Sequence, residues 1–187
     1  MRINEIFYSL QGEGQFTGHA AVFVRFAGCN LRCSFCDTEF QTFTEMSEEE
    51  IVSEVLRYPA STVILTGGEP TLQLTQSFLY LLHEAGRSVH IETNGTRPLP
   101  EGPVHWVVCS PKDAPLHIQR IDELKVVYQG QDMSQYDDIE AQVFSLQPCD
   151  TGDSSKNQEI LQQTINYILQ HPKWKLSLQT HKIINVK

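Results

Sequence analysis

The chain has 187 residues, 20% of them charged, and a formal net charge of −9. This length supports one sizeable core but not two ordinary domains, so we expect a single domain over residues 1–187. The acidic balance, with no run of Lys or Arg, argues against direct nucleic-acid binding and favours a small-molecule partner. No basic leader and no apolar run of about 18 residues is present, so we expect a cytoplasmic protein without a membrane segment.

Short apolar segments alternate with amphipathic ones along the chain. Predicted strands cover residues 3–10, 21–27, 63–66, 88–93, 104–109, 123–128, 142–146 and 175–178. Ser47 and Glu50 match a capping box, which predicts a helix that ends before Pro59. A second apolar stripe runs from Leu74 to Ala85. After a polar connection at 153–157, a third helix is predicted, with these residues facing inward: Leu161, Ile165, Ile168 and Leu169.

This alternation predicts an α/β fold with a largely parallel sheet. With about six parallel strands, the chain is too short for an eightfold barrel, so we expect an incomplete (β/α)6-like partial barrel. Active sites of such sheets lie at the carboxyl ends of the strands. The polar clusters fall at those ends, namely residues 28–36, 67–70, 92–95, 110–112 and 147–150.

Three of the five cysteines lie within eight residues, as Cys29-Asn-Leu-Arg-Cys33-Ser-Phe-Cys36. Cysteine thiolates at such close spacing hold iron–sulfur clusters, and three ligands leave one coordination position open. Two alternatives are a zinc site with a fourth ligand from elsewhere and an unliganded thiol cluster. Of the other cysteines, Cys109 ends an apolar strand and is interpreted as a packed small residue.

The C-x3-C-x2-C spacing, with Phe35 before its last cysteine, resembles the cluster motif of the radical S-adenosylmethionine (SAM) enzymes. Gly67-Gly-Glu-Pro70 resembles their glycine-rich SAM motif, in which backbone approach and the Glu69 carboxylate would suit an ammonium group. A plain strand-to-helix turn with Pro70 at the first helical position is the alternative. More specifically, several segments together resemble the 7-carboxy-7-deazaguanine synthase family: residues 9–18, 25–33, 36–38, 110–112, 147–148 and 179–183.

The resemblance implies a carbon–nitrogen lyase. It would convert 6-carboxy-5,6,7,8-tetrahydropterin to 7-carboxy-7-deazaguanine with loss of ammonia, on the route to queuosine and other 7-deazapurines. The implied cofactors are a [4Fe-4S] cluster, SAM and Mg2+, with radical chemistry started by reductive cleavage of SAM. The implied partners are the pterin, a reductant such as flavodoxin or ferredoxin, and a second copy of the chain in a homodimer.

The same resemblance assigns site residues. Cluster ligands would be Cys29, Cys33 and Cys36, and the Mg2+ ligand would be Thr38. SAM would contact Phe35, Cys36, Asp37, Gly68, Glu69, Ser110, Pro111, Lys112, Gln147, Pro148, Cys149 and Asp150. The pterin would contact Leu10, Gln11, Gly12, Glu13, Arg25, Thr66, His181 and Lys187.

Some of these assignments have plain alternatives in the residues themselves. Arg25 suits a substrate carboxylate because a guanidinium binds carboxylates bidentately, but on a buried strand it could equally form an internal ion pair. Thr38 by itself is only a turn hydroxyl. At the level of function, the alternatives are a radical SAM activase for a glycyl-radical enzyme and a non-catalytic zinc or iron–sulfur module.

Overall fold

The computed structural model describes residues 1–36, 38–39 and 41–187. Strands in this part of the chain are β1 (Arg2–Leu10), β2 (Ala20–Phe26), β3 (Thr44–Glu45), β4 (Thr62–Gly67), β5 (Ser88–Thr93), β6 (Trp106–Cys109), β7 (Glu123–Tyr128), β8 (Val143–Pro148) and β9 (Trp174–Leu176). Helices are α1 (Glu48–Val55), α2 (Gln76–Glu84), α3 (Ser154–Gln170) and α4 (Thr180–Ile184).

The strands form one open sheet in the order β3-β1-β2-β4-β5-β6-β7-β8-β9. Every pairing from β2 to β9 is parallel. The edge strands β1 and β3 run antiparallel, β1 against β2 and β3 against β1. The predicted α/β fold with a mostly parallel sheet is therefore confirmed.

The crossovers are less regular than a (β/α)6 repeat. Helices α1, α2 and α3 lie in the connections that lead to β4, β5 and β9. The connections from β5 to β6, β6 to β7 and β7 to β8 lie wholly within the described residues and contain no α-helix. Pro98, Pro100 and Pro103 in the first of these remove amide donors and are incompatible with a helix interior. The strands there are joined by extended segments instead.

The predicted capping box at the start of α1 is confirmed. The Ser47 hydroxyl accepts a hydrogen bond from the Glu50 amide (3.2 Å), and the Glu50 carboxylate accepts one from the Ser47 amide (2.7 Å). The acidic first turn also complements the helix dipole. Ile51 and Val55 are then placed on the buried face.

Two helix predictions need correction. Helix α2 begins at Gln76 rather than at Leu74, because the Thr75 side chain caps it by accepting from the Phe78 amide (3.1 Å). Helix α3 begins at Ser154, so most of the predicted 153–157 connection is helical. Asp153 caps it through hydrogen bonds from the amides of Ser155 and Lys156. The first turn of α3 is polar and faces solvent, so the apolar pattern that predicts the rest of the helix does not extend to its start.

The inward face of α3 was also predicted wrongly in part. Leu169 is 77% exposed, whereas Thr164 is fully buried. The Thr164 hydroxyl donates to the Ile160 carbonyl at 2.7 Å, so the helix backbone itself satisfies this polar group. A threonine can thus occupy the buried stripe without a tertiary partner.

Apolar side chains pack on the sheet in separate clusters. One fills the space between the β1–β5 part of the sheet and helices α1 and α2, with Phe26, Phe78 and Ile91 fully buried. Another lies between β7–β9 and α3, around Leu146 and Trp174. These cores fix the strands and leave their carboxyl ends free to carry the site. No helix in the described part of the chain is long and apolar enough to cross a membrane.

Candidate active site

A cavity of about 850 Å³ lies at the carboxyl edge of the parallel strands. Its size is that of a small-molecule or cofactor site. It is lined by these residues proposed from the sequence: Leu10, Gln11, Gly12, Glu13, Arg25, Cys29, Cys33, Phe35, Cys36, Thr38, Thr66, Gly68, Ser110, Lys112, Gln147, Pro148, Cys149, Asp150, His181 and Lys187. Glu69 and Pro111 do not line it, and Asp37 lies outside the described residues. One cavity therefore collects nearly all the predicted residues.

The cysteine loop forms one wall of this cavity. All three thiols are free; Cys29 and Cys33 are half-buried and Cys36 is exposed. A turn closes the loop, since the Cys36 amide donates to the Cys33 carbonyl at 3.2 Å. Burial raises the pKa of the Cys29 and Cys33 thiols. Among the described residues, no group of three His, Cys, Asp or Glu side chains is arranged to hold a metal ion.

The glycine motif after β4 packs directly on the cysteine loop. The Gly68 amide donates to the Phe26 carbonyl (3.0 Å), and the Glu69 amide donates to the Gly28 carbonyl (2.9 Å). A Cβ on Gly68 would lie 2.0 Å from the Gly28 oxygen. Only glycine permits this approach of two backbones, which ties the start of the cysteine loop to the end of β4.

Glu69 is placed differently from the exposed anionic partner that the sequence suggested. Its side chain is fully buried. Oε1 accepts hydrogen bonds from the Thr71 amide (3.0 Å), the Thr71 hydroxyl (2.6 Å) and the Thr93 hydroxyl (2.8 Å). Oε2 accepts one from the Asn94 amide (2.8 Å). The carboxylate therefore joins the ends of β4 and β5 from behind the cavity wall.

Lys112 brings a positive charge to the cysteine end of the cavity. Its ammonium donates to the Ser110 hydroxyl at 2.8 Å and lies 5.3 Å from the centre of the Phe35 ring. Burial and the nearby Lys125 cation lower the pKa of Lys112, whereas Cys33 acts in the opposite direction. An anionic group of a ligand would find a partly desolvated cation here.

The opposite end of the cavity carries buried hydrogen-bond acceptors. Lys125 contacts Glu13 Oε2 at 2.5 Å and Glu92 Oε1 at 3.8 Å. The Gln11 side-chain amide donates to Glu92 (2.8 Å), and its carbonyl accepts from the Glu13 amide (3.1 Å). The Thr66 hydroxyl also donates to Glu92 (3.1 Å). Strands β4, β5 and β7 and the 11–13 loop thus build one polar network.

A third group of charges lies on the wall formed by β1 and β2. Arg25 Nε donates to Glu5 Oε1 at 2.9 Å, and the Lys187 ammonium contacts the other Glu5 oxygen. Burial would raise the pKa of Glu5, but hydrogen bonds from Lys187 and Arg25 outweigh it and the pKa is lowered. The internal ion pair suggested for Arg25 is therefore present, and Arg25 itself lines the cavity.

The C-terminal segment covers the same loop. The Thr180 amide donates to the Gly12 carbonyl at 2.9 Å, and a Cβ on Gly12 would lie 2.1 Å from His181 Nδ1. Lys182 pairs with Asp150 at 2.8 Å, which ties α4 to the loop after β8. His181 is consequently held against the 11–13 loop at the cavity rim.

Comparison with known proteins identifies the family. A family model described as "Radical SAM superfamily" matches residues 23–128. A 7-carboxy-7-deazaguanine synthase of Bacteroides thetaiotaomicron is 56% identical over 187 residues, covering 100% of this chain and 98% of that protein. One from Burkholderia multivorans is 38% identical, covering 98% of each. The chain belongs to the 7-carboxy-7-deazaguanine synthase family of radical SAM proteins.

A solved structure agrees with this family assignment. The crystal structure of QueE from Escherichia coli matches with a TM-score of 0.79 and 30% sequence identity, covering 96% of this chain and 94% of that one. The fold predicted from the sequence is that of the family. Membership also confirms two predicted cofactors, because radical SAM enzymes use a [4Fe-4S] cluster and SAM.

The site residues assigned from the sequence left out Glu92 and Lys125, which line the cavity, and Glu5, which pairs with the cavity-lining Arg25, although residues 92–95 had been grouped at the rim. Of these, Lys125 carried a usable signal. It lies in the middle of the apolar strand Glu123-Leu-Lys-Val-Val-Tyr128. Lysine side chains are almost never fully buried unless they are paired, so this position predicts a buried partner. The partners themselves could not be found from the sequence, since Glu13 lies 112 residues away along the chain.

Proposed function

We propose that this chain converts 6-carboxy-5,6,7,8-tetrahydropterin to 7-carboxy-7-deazaguanine with loss of ammonia, on the route to queuosine. The observation that carries the proposal is a single cavity with the cysteine loop at one end and the Glu13–Lys125–Glu92 network at the other. A full-length relative that is 56% identical carries the name 7-carboxy-7-deazaguanine synthase.

Cys29, Cys33 and Cys36 would hold the [4Fe-4S] cluster. The donor set fits, because three free thiols line one wall and leave one iron position for a ligand. With SAM, the cluster supplies the one-electron chemistry that starts the reaction. The remaining work belongs to the protein, which binds, orients and shields the ligands.

SAM would lie between the cysteine loop and the ends of β4, β6 and β8. Gly68 lines the cavity, and its backbone suits the amino group of the methionine moiety. The Lys112 ammonium suits the carboxylate. Contacts from Phe35, Asp37 and residues 147–150 are part of the same proposal. Glu69 would act indirectly, through its hydrogen bonds to Thr71, Thr93 and Asn94.

The pterin would lie at the other end of the cavity. Its ring edge carries N–H donors, which suit the carboxylate of Glu13 and the side chain of Gln11. Its carboxylate would be bound on the β1–β2 wall, where Arg25 and Lys187 are held next to one another by Glu5. His181 and the backbone of Gly12 would close the rim.

The remaining parts of the proposal concern Mg2+, assembly and supply of electrons. Thr38 lines the cavity, and a Mg2+ ion there would take its other ligands from water and the substrate carboxylate.

We further propose a homodimer reduced by a flavodoxin or ferredoxin. A cluster with an exposed iron would be oxygen-labile, which suits the reducing cytoplasm.

An anaerobic turnover assay tests the proposal. Reconstituted, reduced protein is incubated with SAM, Mg2+ and 6-carboxytetrahydropterin, and products are identified by mass spectrometry. We expect 7-carboxy-7-deazaguanine from the wild type and from Cys109→Ala, the matched cysteine control, but none from Cys33→Ala. SAM cleavage without this product would contradict the assigned substrate and favour the activase. Absence of both, with iron and sulfide present, would overturn the enzyme assignment.

A further inference from the structure

Lys125 is the buried cation that joins the acceptors at the pterin end of the cavity. It lies in the middle of β7, and its side chain is 7% exposed. Its ammonium contacts carboxylates from two separate parts of the chain, Glu13 in the loop after β1 and Glu92 on β5. The position also lines the cavity. Lys125 is therefore placed to act on a ligand through these two carboxylates.

The charges of this group depend on one another. Burial alone would lower the pKa of Lys125, but Glu13 and Glu92 raise it. Burial alone would raise the pKa of Glu13, but the Lys125 ammonium outweighs burial and lowers it. Glu13 thus remains ionised because of its cationic neighbour. Without that neighbour, burial would favour the protonated acid.

The other neighbours of Glu13 contribute less to its ionisation than Lys125 does. Glu13 Oε1 accepts hydrogen bonds from the side-chain amides of Gln147 and Gln179, both at 3.1 Å and both neutral. Other titratable or charged groups that act on Glu13 or Lys125 are Glu92, Glu123, Lys112 and His181. Two of these four are carboxylates, and His181 lowers the pKa of Glu13 less than Lys125 does. The contact at 2.5 Å makes Lys125 the nearest cation.

We propose that Lys125 is a positioning residue that keeps Glu13 and Glu92 as a fixed pair of anionic acceptors, so that the cavity selects a ligand edge with N–H donors. The inference rests on the proposed pterin substrate. A 2-amino pterin ring edge offers donors to such a pair, whereas a 2-oxo lumazine edge presents a carbonyl oxygen to it. A ligand edge that places a carbonyl oxygen against these carboxylates cannot donate to them, and such a mismatch in a buried site is rejected strongly.

Binding of stable analogues tests selectivity without turnover. Fluorescence titration gives the dissociation constants of 6-carboxypterin and 6-carboxylumazine, which differ in the 2-amino against the 2-oxo group. We expect the wild type and Lys125→Arg to prefer the pterin. Lys125→Met and Lys125→Gln should lose at least about tenfold of this preference. The surface variant Lys173→Met, whose lysine pairs with the exposed Asp137, is the matched control and should keep the wild-type preference.

Kinetics as a function of pH separate positioning from a purely structural role. In Lys125→Met and Lys125→Gln, KM for the tetrahydropterin should rise about tenfold more at about pH 6 than at about pH 8.5, because burial without the cation favours the protonated form of Glu13, which accumulates as pH falls. The value of kcat should change less than KM. In the double variant Glu13→Gln/Lys125→Met the extra pH dependence should disappear, since no carboxyl remains at position 13.

The inference is overturned if Lys125→Gln shows the same ligand preference and the same pH profile as the wild type. It is also overturned if Lys125→Met and Lys125→Gln both fail to fold, since the cation would then serve stability. These results are distinguishable from failure of the proposed function. If the proposed function is wrong, the wild type itself would form no 7-carboxy-7-deazaguanine and would bind neither analogue.

Discussion

Replacement of Gly68 by alanine would separate the end of β4 from the cysteine loop. The added Cβ would lie 2.0 Å from the Gly28 oxygen and 2.5 Å from its carbonyl carbon. Close-packed interiors do not accept contacts under about 3 Å, so the two backbones would have to part by roughly 1 Å. That movement would lengthen the hydrogen bonds at 3.0 Å and 2.9 Å that join Gly68 and Glu69 to Phe26 and Gly28.

The expected loss of stability follows from these contacts. Overpacking of this kind costs about 1–3 kcal/mol. Two weakened backbone hydrogen bonds add about 1 kcal/mol each. The total of about 3–5 kcal/mol is a large part of a typical folding free energy of roughly 5–15 kcal/mol. Denaturant unfolding of the cluster-free protein measures it, and iron content after reconstitution shows whether Cys29 is still correctly placed.

Gly86→Ala is the matched control. Its φ of +73° is unfavourable for alanine, but a Cβ there meets no atom within 4 Å. We expect a loss of about 1–2 kcal/mol from the backbone conformation alone and normal iron content. A loss of less than about 1 kcal/mol in Gly68→Ala, together with full iron content, would refute the backbone-contact argument.

Two further predictions concern buried polar groups. In Glu69→Gln, the new side-chain N–H would face protein donors such as the Asn94 amide. We expect the free energy of unfolding, measured with denaturant, to fall by about 2–3 kcal/mol. An unchanged unfolding midpoint would contradict this role of Glu69. Burial, aided by the nearby His105, lowers the pKa of His90 from 6.5 to about 4. Stability should therefore be full above about pH 6.5 and fall by about 2 kcal/mol as pH drops to about 4. The His90→Gln variant should lack this component, and equal pH profiles would refute the assignment.

Local chemical patterns in the sequence predicted much of the fold. Apolar runs gave the strands, and the Ser47–Glu50 capping box gave the start of α1, because both depend on neighbours within a few residues. The start of α3 was missed because its first turn is polar and solvent-facing. The connections without helices were not predicted. A parallel pair of strands needs only a crossover connection long enough to reach the start of the next strand, and a helix is its usual but not its required form.

The candidate site was predictable to the level of loops but not of side-chain directions. Parallel topology places the carboxyl ends of the parallel strands on one rim, so the cysteine loop and residues 110–112 could be grouped in advance. Glu69 points away from the cavity because donors from the β5 end surround its oxygens. Its direction, like the pairing of Glu13 with Lys125, depends on tertiary contacts that no local pattern encodes.

The central claim is that one cavity joins a cluster-binding cysteine loop to an acceptor-lined pterin end. Iron-edge anomalous diffraction from anaerobic crystals of reconstituted protein with SAM and 6-carboxypterin tests it most directly. We expect the iron peak bonded to Cys29, Cys33 and Cys36, and the pterin ring edge against Glu13. A zinc-edge signal at a closed four-ligand site, or a pterin bound outside this cavity, would contradict the account.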